Sequence, residues 1–168
     1  MTSFMETNKL LRIYLNDHYA GSVAGDELAK RSLKNNQGTP LGDYLSQFIA
    51  ELEEDQRVLL KVLDAIDAKP DRIKQMAAWI AEKAGRFKLN GQVTGYSDLS
   101  RLLEIEGLAL AVEGKVSLWR SLERVRDDHP ELSDIDLATL IERGERQREQ
   151  LERFRLEAAV IALKHTES

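Results

Sequence analysis

Two glutamates, Glu106 and Glu113, stand on one predicted helix where the surrounding pattern is apolar. Residues three and four positions away on a helix are neighbours on its surface. Those of Glu106 are all apolar: Leu102, Leu103, Ala109 and Leu110. Because the glutamates are seven residues apart, they project from the same side of the helix. Carboxylates placed in this way can form buried ion pairs or bind a metal ion.

Three further polar residues interrupt the apolar stripes of the other long predicted helices. His18 lies in the first of these helices, Asp55 in the second and Arg148 in the last. Together with Glu106 and Glu113, they give every long helix a polar group near its middle. The sequence therefore predicts a polar core cluster of these five residues and assigns none of them a catalytic role.

Three interpretations of this cluster stay open. In the first, the groups lie at a boundary and reach water, because charged side chains are rarely fully buried. In the second, Arg148 faces Glu106, Glu113 or Asp55 in the core, since buried carboxylates need partners. In the third, His18, Asp55, Glu106 and Glu113 bind iron or manganese, which suit oxygen and imidazole ligands. An arginine in the same layer would compete with the metal. We therefore expect no cofactor, with iron or manganese as the alternative.

Five helices are predicted to position these residues. Long helices are expected over 7–34, 40–67, 97–126 and 133–164, and a shorter one over 71–87. Apolar residues recur in them at spacings of three and four, and Thr39, Ser97 and Ser133 are the predicted N-caps of the second, third and fourth long helices. Short connections make two hairpins, over 7–67 and 97–164, and a crossover over 68–96 joins them. The prediction is one all-α domain over residues 1–168.

Two hairpins joined by a long crossover resemble the ferritin-like superfamily. The stretches over 79–86 (WIAEKAGR) and 103–107 (LEIEG) are also similar to a group of uncharacterised bacterial ferritin-like proteins. The resemblance implies an antiparallel bundle of four long helices, with a short crossover helix between the second and third. Ferritin-like di-iron enzymes carry paired Glu-x-x-His motifs. No Glu-x-x-His occurs in this sequence, so the di-iron motif is degenerate.

Five glycines interrupt the long predicted helices: Gly21, Gly25, Gly107, Gly114 and Gly144. Each costs about 0.5–1 kcal/mol relative to alanine inside a helix. Close approach of neighbouring helices would account for them. The alternative is that they leave space for a ligand beside the polar cluster.

Composition excludes several classes of function. The 168 residues carry 24 Lys and Arg against 29 Asp and Glu, a net charge of −5. This balance argues against a general nucleic-acid binder. The sequence has no cysteine, which excludes disulfides, thiolate zinc sites and iron–sulfur clusters. No apolar run is long enough to cross a membrane, and no secretory signal is recognisable. We therefore expect a cytoplasmic protein.

The sequence predicts a non-catalytic ferritin-like bundle that acts through protein–protein contacts. We expect a homo-oligomer, of which a dimer is the simplest form, and a protein partner that the sequence does not identify. The alternative function is a metal-binding protein or metal-dependent oxidoreductase. Its site would be an atypical set of carboxylates and histidine in the core of the bundle.

Overall fold

The computed structural model describes residues 2–68 and 95–164, and four long helices make up most of this part. They are α1 (Thr2–Asn35), α2 (Pro40–Ala65), α3 (Asp98–Val125) and α4 (Leu137–Leu163). Two short 3₁₀ turns, Arg126–Asp128 and Pro130–Leu132, connect α3 to α4. The described residues form no strand, which confirms the all-α prediction. The short helix expected over 71–87 lies outside them.

Side chains at the helix starts fix where three of the helices begin. Thr39 and Ser97 each accept a backbone N–H from three residues further on, which confirms both predicted caps. The predicted cap Ser133 is wrong, because it ends the second 3₁₀ turn and α4 begins later. Asp136 caps α4 instead, since its carboxylate accepts both the backbone N–H and the hydroxyl of Thr139, at 3.1 and 2.7 Å.

Contacts between α1 and its neighbours fix the helix directions at one side of the bundle. Near the start of α1, the Arg12 guanidinium donates to the carbonyl of Ile66, just after the end of α2, at 2.9 Å. Near the end of α1, Arg31 pairs with Glu104 in the first turns of α3, at 2.9 Å. Helix α1 is therefore antiparallel to both α2 and α3.

Helices α2 and α3 consequently run in the same direction. Helices α3 and α4 are antiparallel, because Glu106 early in α3 lies 3.7 Å from Arg155 late in α4. The order of directions is up, down, down, up. The first described stretch therefore ends at Ala68 at one end of the bundle, and the second begins at Gly95 at the other end.

Two apolar clusters fill the interior, one at each end. The first contains Leu15 and Trp119, and the second contains Phe48 and Leu151; all four are almost fully buried. Burial of each such side chain contributes about 1.5–3 kcal/mol. On α2, Asp55 lies between the residues that belong to the first cluster and those that belong to the second. A polar layer therefore separates the two halves of the core.

Some of the helix glycines are explained by packing and others are not. A Cβ atom at Gly144 would lie 2.5 Å from Cγ2 of Val116, and one at Gly107 would lie 2.9 Å from a leucine of α1. These positions permit the close approach of two helices. A Cβ at Gly21 or Gly114 would have no atom from another part of the structure within 4 Å.

Candidate functional site

The centre of the polar layer is the carboxylate of Asp55, which is 3% exposed. Its Oδ2 atom accepts from Nζ of Lys115 on α3 at 2.6 Å. Its Oδ1 atom accepts from the guanidinium of Arg143 on α4 at 2.9 Å. Three helices thus meet through one carboxylate, and each of its oxygens has a charged donor.

The network extends from Lys115 to the surface of the bundle. The Lys115 ammonium also donates to Oε1 of Gln147, which is 1% exposed. The amide nitrogen of Gln147 donates to Glu51 at 2.6 Å. We call these residues, with Asp55 and Arg143, the charged layer.

Burial is the main electrostatic influence on Lys115. Removal from water lowers the pKa of its ammonium from the ordinary value, and the carboxylate of Asp55 opposes this shift. An isolated buried charge would be very costly, so the layer depends on this pairing. The arrangement holds three helices together, and each oxygen of Asp55 accepts from a cationic side chain of another helix.

The five residues predicted to form one core cluster do not lie together. Asp55 alone belongs to the charged layer. Glu113 and Arg148 pair at 3.7 Å on the surface, each with 51% of its side chain exposed. Glu106 pairs at the surface with Arg155. The predicted pairing of Arg148 with a glutamate exists, but it is a surface pair rather than a buried one.

Glu106, Glu113 and Arg148 line a groove of about 780 Å³ on the outer face between α3 and α4. Their apolar neighbours explain why the sequence placed them in the core. Leu103 and Leu110 flank Glu106 in sequence, but they are 43% and 75% exposed. The apolar neighbours of Glu106 therefore indicate an exposed apolar helix face rather than the interior of the bundle.

His18 occupies a different place from the other four predicted residues. It is half-buried on α1, where its ring packs edge-on against Tyr14, with ring centroids 4.5 Å apart. Burial lowers the pKa of His18, and the nearby carboxylate of Asp17 opposes this shift. The structure therefore favours the neutral imidazole at this position.

This shift predicts a pH dependence of stability. Because the pKa of His18 is lower in the folded state, the unfolded state binds its proton first as pH falls. Stability from this residue should be lost on acidification through its unfolded pKa of about 6.5. Urea unfolding of wild type and His18→Gln at pH 7.5 and 5.5 measures the effect, and the variant should lose less stability than wild type. Equal losses in both proteins would contradict the expected role of His18.

Lys115, Arg143 and Gln147 belong to the charged layer but were not predicted from the sequence, although a signal existed for the first of them. The neighbours of Lys115 at three and four positions are all apolar: Ala111, Val112, Leu118 and Trp119. Three of these four are buried. The pattern that marks Glu106, apolar residues three and four positions away on the helix, thus also marks Lys115. The neighbours of Arg143 and Gln147 are largely polar and give no such signal.

A second polar network lies at the end of the bundle where α1 leads into α2. Glu104 is almost buried and accepts from Arg31 at 2.9 Å and from the hydroxyl of Tyr96 at 3.1 Å. The buried amide of Asn36 donates to the same hydroxyl at 2.8 Å and accepts from Arg101 at 2.8 Å. This network joins the α1–α2 loop to the start of α3, so we assign it a structural role.

Comparisons with protein-family models, curated proteins and solved structures give no match for this chain. Within residues 2–68 and 95–164, no three His, Asp or Glu side chains are grouped so that they could hold a metal ion. None of the described helices combines the length and the apolar character needed to span a membrane.

Proposed function

We propose that this chain is a non-catalytic helical-bundle protein that acts through protein–protein contacts. The observation that carries the proposal is the pairing of the Asp55 carboxylate in the middle of the bundle. Both of its oxygens accept from cationic side chains of other helices, Lys115 and Arg143. A metal ion at this carboxylate would lie against the ammonium and the guanidinium group that already neutralise it.

The helix directions support a ferritin-like topology as part of this proposal. A bundle with one long crossover has two consecutive helices that run in the same direction, whereas a simple up-down-up-down bundle has none. Helices α2 and α3 run in the same direction, and Ala68 and Gly95 lie at opposite ends of the bundle. A crossover over 68–96 would satisfy this arrangement.

Apolar side chains on the surface support a function through protein contacts. Six leucine and valine residues on α3 and α4 are between 43% and 75% exposed: Leu99, Leu103, Leu110, Leu156, Val160 and Leu163. Leu156, Val160 and Leu163 line one shallow depression on α4, and grouped apolar side chains on a protein surface commonly mark a site of interaction.

The alternative function as a metal protein makes a different prediction for stability. A ligand at one hundred times its dissociation constant stabilises the folded state by about 2.7 kcal/mol. In a chain of this size, that would raise the melting temperature by roughly 5–10 °C. We expect shifts within about 1 °C for ferrous iron, manganese or zinc, relative to the protein in EDTA, because no metal binds the folded state.

Thermal unfolding followed by circular dichroism checks this expectation. Magnesium provides a control for non-specific effects of a divalent cation. A saturable rise of several degrees with one transition metal, absent with magnesium, would contradict the non-catalytic proposal and favour the metal-dependent alternative.

A further inference from the structure

We infer that the bundle opens between α2 and α4, and that the charged contacts across this interface hold it closed. The α1–α2 and α3–α4 hairpins stay intact in this movement and turn about the contact between α1 and α3. The movement goes beyond the proposed function, because it concerns how the core of the bundle becomes accessible.

The α2–α4 interface is bridged mainly by long polar side chains. Among the described helices, the backbones of α2 and α4 approach each other over a much shorter length than those of the other neighbouring pairs. Arg143 reaches Glu54 and Asp55 at 3.0 and 2.9 Å, and Arg146 reaches Glu51 at 2.8 Å. Three carboxylates of α2 thus face two guanidinium groups of α4, so opposite charges hold these two helices together.

The opposite side of the bundle, between α1 and α3, is packed through small and apolar residues. A Cβ atom at Gly25 would lie 3.4 Å from that of Ala111, and one at Gly107 would lie 2.9 Å from Cδ2 of Leu28. This close approach of two backbones does not depend on charge. Rotation of rigid units about a packed contact is a common form of conformational change. The α1–α3 contact is therefore suited to be the axis of the opening.

Each hairpin is held together independently of the α2–α4 interface. In the first hairpin, the side chain of Gln56 on α2 donates to the carbonyl of Ser22 on α1 at 2.9 Å. In the second hairpin, α4 approaches α3 so closely at Gly144 that a Cβ there would lie 2.5 Å from Cγ2 of Val116. The hairpins can therefore separate at one edge without coming apart themselves.

Opening at this edge brings buried apolar side chains to the surface. Phe48 on α2 and Leu151 on α4 belong to the same core cluster and are almost fully buried. Nearer the edge, the rings of Tyr44 and Phe154 pack across the interface, with centroids 5.3 Å apart. The charged contacts therefore control access to apolar surface that the closed bundle hides.

The contacts differ in how strongly salt can weaken them. The side chains of Arg146 and Glu51 are 54% and 33% exposed, and that of Glu54 is 52% exposed. Asp55 is buried, and buried pairs are screened much less than exposed ones. We therefore expect a mostly closed bundle whose open population rises with ionic strength and rises further when Asp55 loses its charge.

Distances between pairs of spin labels on the full chain test the inference. The chain has no cysteine, so labels can be attached at chosen sites. Gln47→Cys with Gln150→Cys places one label on α2 and one on α4, each on the helix face that carries the bridging side chains. Asp17→Cys with Ser117→Cys places labels at exposed positions on α1 and α3 as the reference pair.

The first measurement is a salt series on both labelled pairs by pulsed electron paramagnetic resonance. Raising the ionic strength from about 0.01 to 1 M shortens the Debye length from about 30 to 3 Å. The longer-distance population of the α2–α4 pair should rise about fivefold, which corresponds to the loss of about 1 kcal/mol of ionic contacts. The distances of the α1–α3 pair should not change.

The second measurement adds Asp55→Asn to both labelled pairs at low salt. This change keeps the shape of the side chain and removes its charge, so the longer-distance population of the α2–α4 pair should rise. The matched control is Glu113→Gln, which removes a carboxylate from a half-exposed pair between α3 and α4 and should leave both distances unchanged. If Asp55→Asn loses its helical circular dichroism signal, the salt series decides alone.

Two results would overturn the inference. One is an α2–α4 distance that stays the same over the whole salt series. The other is an equal change in the α1–α3 pair, which would show a general loosening of the bundle and not an opening at one edge. Neither result affects the melting experiment with metals, which tests the non-catalytic proposal independently.

Discussion

Replacement of Asp55 by alanine is expected to lower the free energy of unfolding by about 3–5 kcal/mol, the usual cost of breaking a buried ion pair. The substitution leaves the ammonium of Lys115 in a site that already lowers its pKa by burial. Arg143 retains a second carboxylate, Glu54, at 3.0 Å, so Lys115 accounts for most of the loss. Urea unfolding followed by circular dichroism measures the change.

The control for this prediction is Arg148→Met. Arg148 pairs with Glu113, but both side chains are half exposed, so the substitution should change stability by no more than about 0.5 kcal/mol. Similar losses in the Asp55 and Arg148 variants would contradict the distinction between a buried layer and a surface pair.

Alanine at Gly144 is expected to destabilise the bundle by about 1–3 kcal/mol, the usual cost of overpacking a core. Its Cβ would lie 2.5 Å from Cγ2 of Val116. Valine is restricted to one main rotamer in a helix, so it cannot turn away easily. This clash outweighs the gain of about 0.5–1 kcal/mol that alanine gives inside a helix. Chemical denaturation of the single variant measures the result.

Two further variants make the Gly144 prediction specific. Gly21→Ala should stabilise the protein by about 0.5–1 kcal/mol, because nothing lies within 4 Å of the new Cβ and only helix propensity changes. Val116→Ala should remove the clash, so alanine at Gly144 should cost less in that background. Stabilisation by Gly144→Ala in the wild-type background would show that α3 and α4 do not approach closely at this point.

Helix positions could be predicted from the sequence because periodicity and capping act locally. The caps Thr39 and Ser97 are correct, and the expected end of the helix after Ser97 lies within one residue of the observed end. The start of α4 was misplaced because Ser133 and Asp136 are both good caps. The choice between them depends on the 3₁₀ turn before α4, in which Ser133 takes part.

The site could be predicted only in part, because a neighbour test reports the composition of a helix face and not its burial. It was informative for Asp55, whose flanking apolar residues belong to the two core clusters. It was misleading for Glu106 and Glu113, since Leu110 beside both is 75% exposed. An exposed apolar helix face has the same local pattern as a core.

Arg143 and Gln147 could not have been found by any local rule. Both lie in a highly charged stretch of α4 that is typical of a solvated helix face. Gly144 lies between them, and the close approach of α4 to α3 at this glycine brings Gln147 to Lys115. Burial of these polar groups is therefore a consequence of tertiary packing.

The coupling between Asp55 and Lys115 tests the central claim that the charged layer is structural. A double-mutant cycle with Asp55→Ala and Lys115→Met compares the two single losses with that of the double variant. Asp55→Ala alone should lose about 3–5 kcal/mol, whereas Lys115→Met should lose less, because Asp55 keeps Arg143 at 2.9 Å. The double variant should recover much of the Asp55→Ala loss, since it leaves no unpaired ammonium. We expect a coupling free energy of about 2–3 kcal/mol. If the loss of the double variant equals the sum of the two single losses to within about 0.5 kcal/mol, the claim is contradicted.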